Sequence, residues 1–317
     1  MTGTTSSSTV ASPAPFLAPA ALPVLALLFN AFVWGISWWP FRQLQARGLH
    51  PLWATALIYA MTAVFICLWR PAALRQLLGT PVLWVLVLAS GMTNAAFNWA
   101  VSIGDVVRVV LLFYLMPLWA LLLARLLLHE PLTKLAGLRI ALALTGAMLV
   151  LEPAGGAGWP LPSSLPDWLG VAGGMSFALN NVMLRREARR PEAGRALAMF
   201  MGGVLVAGSM AALLASAGRL PWPPVPAPGW MLPALALGAA FLVSNLALQY
   251  GAARLRASVT AVVMLSEILF ASASAALLGS GVLSSQSLLG GGLIMGAAAL
   301  SVMERHAGSG SQSQIGT

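Results

Sequence analysis

Residues 108–150 read RVVLLFYLMPLWALLLARLLLHEPLTKLAGLRIALALTGAMLV, and the fold follows from how this stretch is divided. Two apolar runs flank a turn that carries Arg125, His129, Glu130, Lys134 and Arg139. Each run is near the roughly 20 residues an α-helix needs to cross about 30 Å of hydrocarbon. The stretch therefore predicts two membrane helices joined by a basic turn. Pro117 interrupts the first of them, which predicts a kink because proline removes a backbone donor and frees a carbonyl.

The whole chain has the same character. Of its 317 residues 59% are hydrophobic and only 8% charged, which excludes a soluble globular domain. The formal charge of +9 does not point to nucleic acid, because the seventeen basic residues lie between apolar runs rather than in one patch. Cys67 is the single cysteine, so neither an intrachain disulfide nor a cysteine metal site is expected. His50, His129 and His306 fall in turns or a tail and form no metal motif, and no cofactor is expected. The tail before the first run has no Lys or Arg, so the first helix is expected to be retained rather than cleaved as a secretion signal.

Ten apolar runs follow one another: 22–41, 52–69, 81–101, 109–128, 135–151, 168–184, 196–214, 231–250, 258–278 and 288–303. The expected architecture is an all-α integral membrane protein with ten transmembrane helices. Its parts are a disordered tail over 1–20, a five-helix unit over 21–152, a Gly/Pro linker over 153–166, a second unit over 167–305 and a disordered tail over 306–317. With the N-terminus in the cytoplasm, thirteen basic residues fall inside: Arg70, Arg75, Arg125, Lys134, Arg139, Arg185, Arg186, Arg189, Arg190, Arg195, Arg254, Arg256 and Arg305. Four fall outside: Arg42, Arg47, Arg108 and Arg219. The positive-inside rule then puts both termini in the cytoplasm of a multi-pass protein of the inner (plasma) membrane, with Arg42 and Arg47 as misfits.

The two units can be laid on each other. WGISWWPFR lies on FALNNVMLR, pairing Trp34 with Phe177, and GMTNAAFNWAVSIG lies on GAAFLVSNLALQYG, pairing Gly91 with Gly238, Asn98 with Asn245 and Gly104 with Gly251. Five helices per unit force the second to insert upside down. Inverted repeats of this kind build many secondary transporters, with the substrate site near the midplane.

WGISWWPFR, YLMPLW and LLLHEPLTKLAGLRIALALTGAMLV resemble the first repeat of an EamA-type domain of the drug/metabolite transporter superfamily, and MLSEILFASASAALLGS and LLGGGLIMGAAAL echo it in the second. The resemblance runs from about Ala21 to Arg305. It implies two inverted five-helix repeats around a central cavity and export of small metabolites such as neutral or aromatic amino acids. Two departures stand out. Glu267 is followed by Ile268 where the family commonly has proline, and Gly279, Ser280 and Gly281 stand where it commonly closes a turn with glutamate.

Polar groups inside the runs are costly and mark candidate sites. Glu267, near the middle of the ninth run, is either a cavity acid that binds a substrate ammonium or carries a proton, or a glutamate that ties two helices together. Asn94 and Asn98 share one helix face, as do Asn245 and Gln249. Asn94 and Gln249 read as interhelical bonds, Asn98 and Asn245 as cavity amides. Asn30, Trp34, Ser37 and Phe41 form one stripe, matched on the sixth helix by Asn180 and Asn181. The substrate-binding candidates are Trp34, Asn98, Tyr114, Asn181, Asn245 and Glu267, and Pro117 is the gating candidate. Trp38 and Trp39 read as interface anchors. Arg108 with Asp105 reads as an outer gate or a solvated pair. Gly292 and Gly296 form a small-xxx-small pattern suited to internal packing or a dimer, and a monomer is the expectation.

No HExxH or GxSxG motif supports an enzyme, and no charge ring or repeated filter supports a channel. An exporter of neutral or aromatic amino acids, with substrate and lipid as its partners, is the leading reading. Proton-coupled efflux of organic cations and a transport-free scaffold or receptor are the alternatives.

Overall fold

A computed structural model describes residues 18–128, 134–152, 161–187, 189–252, 254, 263–279 and 284–312. Among these residues every regular element is helical. In a bilayer each backbone group must be satisfied within its own segment, which helices do.

The first half comprises α1 (Ala18–Ile36), α2 (Trp38–Ala46), α3 (Pro51–Trp69), α4 (Ala72–Leu78), α5 (Leu83–Ile103), α6 (Val106–Phe113), α7 (Met116–Leu128) and α8 (Lys134–Leu151). The second comprises α9 (Leu165–Arg186), α10 (Glu192–Gly202), a π-helical turn at Gly203–Ala207, α11 (Gly208–Ser216), α12 (Pro228–Ala252), α13 (Ser266–Leu277) and α14 (Ser285–Gln312). Among the described residues six segments are long and apolar enough to cross a membrane, and Gly137–Leu151 and Ser266–Leu277 are shorter apolar helices. The last helix continues to Gln312, so the backbone of 306–312 is helical where the sequence predicts a tail.

Local sequence fixes the ends. Asp105 accepts a hydrogen bond from the Arg108 amide at 2.8 Å and caps α6, and Ser164 accepts one from the Asp167 amide at 3.3 Å and caps α9. The expected kink in the fourth run is a full break. α6 ends at Phe113, Tyr114 takes the capping position, and α7 starts at Met116. Pro117 thus sits in the first turn of α7, where a missing amide proton leaves no helical carbonyl unserved.

α5 packs along α9 and α1 along α12; α9 also meets α6 and α7, while α1 also meets α13. α8 packs on α14. Small residues permit the closest approaches. A Cβ on Gly91 would lie 2.3 Å from the Gly202 carbonyl oxygen, so α5 and α10 touch through backbone. Between α8 and α14 the corresponding pair is Gly146 and Gly290, not the expected Gly292 and Gly296, which face open space. The tenth run is apolar on every side, so its pattern did not reveal which side faces protein.

Trp38 also departs from expectation. It is buried, with its indole N–H donating to Ser274 Oγ at 3.0 Å, because α2 turns it inward against α13; Trp39 remains exposed. Arg42 is explained by the same turn. Its guanidinium lies over the Trp38 ring and donates to the Val101 and Gly104 carbonyls at the end of α5, a favourable place for a cation.

Candidate functional site

The break after α6 places Tyr114 opposite the first turn of α13. Its hydroxyl donates to Glu267 Oε2 at 3.1 Å, joining the two halves of the chain. Tyr114 is buried and Glu267 half-buried. Among the described residues no cation pairs with this carboxylate. Gly35 lets α1 approach the same turn, since a Cβ there would come within 2.9 Å of the Glu267 carbonyl oxygen.

Two aromatic groups lie in separate apolar cores. Phe113, next to Tyr114, packs against Phe97 at 4.8 Å and Phe177 at 5.4 Å between ring centroids. In the other group Trp34 stacks on Phe241 at 4.5 Å, and Phe241 also neighbours Tyr59.

Of the candidates the structure brings Tyr114 and Glu267 into contact. Trp34 is half-buried on Phe241. Asn98 is fully buried and donates to Thr55 Oγ1 at 3.0 Å, which makes it an interhelical bond between α5 and α3. Asn94 binds Tyr59 and Ser90. Asn181 is exposed and accepts from Asn180 at 3.5 Å, and Asn245 is half-buried. The side chain of Gln249 lies outside the described residues, as do those of Pro117, His129 and His306. His50 accepts from the Leu52 amide, and burial pushes its ring down to about 4. No group of three metal-ligating side chains occurs among the described residues.

Two features escape sequence reading. Asn30 donates to the Ser244 carbonyl at 2.9 Å and to its Oγ at 2.7 Å, across 214 residues of chain, while its own oxygen has no protein partner. Asn30→Ala is expected to destabilise the protein by about 1 kcal/mol, read as a lower midpoint of thermal unfolding in detergent. An unchanged midpoint would show that α1 and α12 do not depend on this bond.

The second is the partner of Arg108. Its side chain pairs with Asp167 of α9, through Nε to Oδ1 at 2.7 Å and Nη2 to Oδ2 at 3.0 Å, and Nη1 donates to the Val150 carbonyl at 2.7 Å. Asp105 is occupied with the α6 cap. Burial alone would raise the Asp167 carboxyl, but the bonds from Arg108 and the Ser163 amide hold it below the ordinary aspartate range. The pair therefore stabilises at neutral pH, and that contribution is lost only as the pH falls through the lowered value. A depression of about 330 Å3 lies over this pair, lined by Asp105, Glu152 and Ser164 among others.

Among the described residues the site is thus a carboxylate held between two halves of an apolar helical body. Residues 21–152 match the model of the EamA-like transporter family, a family of membrane transporters of small molecules. Fifteen solved chains match in structure; one, described as "Crystal structure of protein", has a TM-score of 0.55 at 20% identity and covers 90% of this chain and 97% of its own. That likeness concerns the fold. No curated protein matches the sequence.

Proposed function

We propose that the protein is a secondary transporter exporting small metabolites from the cytoplasm by alternating access, with neutral or aromatic amino acids as its substrates. The observation that carries this reading is the Tyr114–Glu267 bond between the two halves, at a carboxylate with no cation partner among the described residues. A substrate ammonium supplies the missing charge, and the aromatic groups receive an apolar side chain. Organic cations have the same head-group chemistry and form the second reading.

The proposed frame is ten spans in two inverted repeats. Support comes from contacts that occur twice: α5 with α9 as α1 with α12, and α9 with α6 as α1 with α13. The aligned glycines do parallel work, Gly104 meeting Pro166 and Gly251 meeting Pro23 and Leu27. Both termini lie in the cytoplasm in this frame, consistent with the distribution of basic residues.

Uptake of labelled amino acids into proteoliposomes tests the substrate class, with empty liposomes as blank and a choline-like cation as competitor. Saturable amino-acid flux is the expected result; movement of the organic cation alone would replace it with drug efflux. Tyr114→Phe frees the carboxylate of a competing donor and is expected to lower KM by about threefold to tenfold, the effect of roughly one hydrogen bond. A raised KM in steady-state flux would instead make the tyrosine a direct substrate ligand.

A further inference from the structure

We propose that α6 is the gate on the Arg108 face of the pathway and that the Arg108–Asp167 clasp holds it shut. The inference rests on the transporter reading above and assigns a part of the moving machinery to named residues.

α6 has the form of a separate moving piece. It is eight residues long, and apart from Arg108 every residue is apolar and buried. It packs against α13, sharing a core with Ile268, Ala271 and Ala275, so it closes the first half onto the second on this face. Its other end stops at the break at Tyr114 and Leu115, which supplies a hinge within the membrane.

What fixes the piece laterally is directional only at its two ends. At the hinge it is the Tyr114–Glu267 bond. At the far end it is the Arg108 fork, which grips Asp167 of α9 and the Val150 carbonyl of α8 together. The grip is firm, because Asp167 is itself held by the Ser163 amide at 3.1 Å and its side chain is 3% exposed. Between the ends the described contacts are apolar side chains on α13 and a close glycine seam on α9, where Gly170 and Gly174 lie against the Val109 and Phe113 carbonyls without a side-chain hydrogen bond.

The clasp belongs to one face. Asp167 follows Pro166, which meets Gly104; in the other half Pro23, which meets Gly251, is followed by Val24. An ion pair therefore latches one mouth, and Val24, the residue related to Asp167 at the other, carries no charge. A substrate cation that takes Glu267 releases Tyr114 at the hinge, and opening of this face then requires the clasp to part.

The test is the rate at which a buried cysteine is labelled, measured without substrate. In a Cys67→Ser background, Ala271→Cys places a thiol under α6, and a membrane-impermeant maleimide is added from the Arg108 face. Asp167→Asn and Arg108→Gln are each expected to raise the labelling rate about tenfold from that face and not from the other. The charge-reversed pair Arg108→Asp with Asp167→Arg is expected to return it toward the parent rate. An unchanged rate in folded, monodisperse variants overturns the proposal, as does an equal rise from both faces. If the single variants do not fold, Arg108→Lys, which keeps the charge and loses the fork, is expected to show a smaller one-sided rise, and no rise would again overturn it. Loss of flux for every substrate alongside a one-sided labelling response would count against the transporter reading and leave the gate standing.

Discussion

Glu267→Gln is expected to lower saturable flux of ammonium-bearing substrates by about 10- to 100-fold. The amide keeps the shape and the Tyr114 contact but removes the charge, and a charge-assisted hydrogen bond contributes about 1.5 to 3 kcal/mol. The loss should fall on KM if the carboxylate acts mainly in holding substrate. Where proton movement drives export, the same variant should also flatten the pH dependence of flux, because Glu267 is the one acid well inside an apolar run. Initial rates in proteoliposomes across a pH series measure both effects. A variant that transports as fast as the parent with an unchanged pH profile would remove Glu267 from the pathway and leave it as a bond between helices.

Gly202→Val is expected to have the largest effect on the fold. A Cβ at this position would lie 2.2 Å from the Val87 carbonyl oxygen and 2.7 Å from the Gly91 amide nitrogen. Both are backbone atoms of α5 and cannot rotate away. Overpacking typically costs about 1 to 3 kcal/mol when side chains can adjust, so a larger penalty is expected here. The variant should fail to yield a monodisperse species in detergent chromatography. Gly292→Val is the matched control, since a Cβ there meets nothing within 4 Å, and its elution should equal that of the parent. Normal behaviour of Gly202→Val would mean that α5 and α10 do not rely on this backbone contact.

The apolar runs and the break near Pro117 were readable because a membrane helix announces itself by length and hydropathy, and because proline cannot serve inside a hydrogen-bonded ladder. Glu267 was equally visible, as an acid in an apolar run. That Tyr114 is its partner rests on a chain separation of 153 residues, which no local pattern encodes. The same holds for Arg108, whose near neighbour Asp105 is plain in the sequence while its distant partner Asp167 is not. Helix rotation was the other hidden quantity. Lipid and protein interior are similarly apolar, so Gly290 and Gly292 look alike in sequence although one touches Gly146 and the other faces outward. Trp38 and Trp39 differ in the same way, and only the buried one finds a partner for its indole N–H, the hydroxyl of Ser274. Asn98 was legible as a polar group in a costly place, but the bond of its amide nitrogen to Thr55 on the neighbouring helix was not.

In the proposed cycle solute passes the Glu267 carboxylate, and the most direct measurement is its modification by a hydrophobic carbodiimide, mapped by mass spectrometry while flux is followed in the same proteoliposomes. Modification of Glu267 should abolish flux in proportion to its extent, and a transported solute should slow the modification. Protein fully modified at Glu267 that still carries solute at the parent rate would contradict the account.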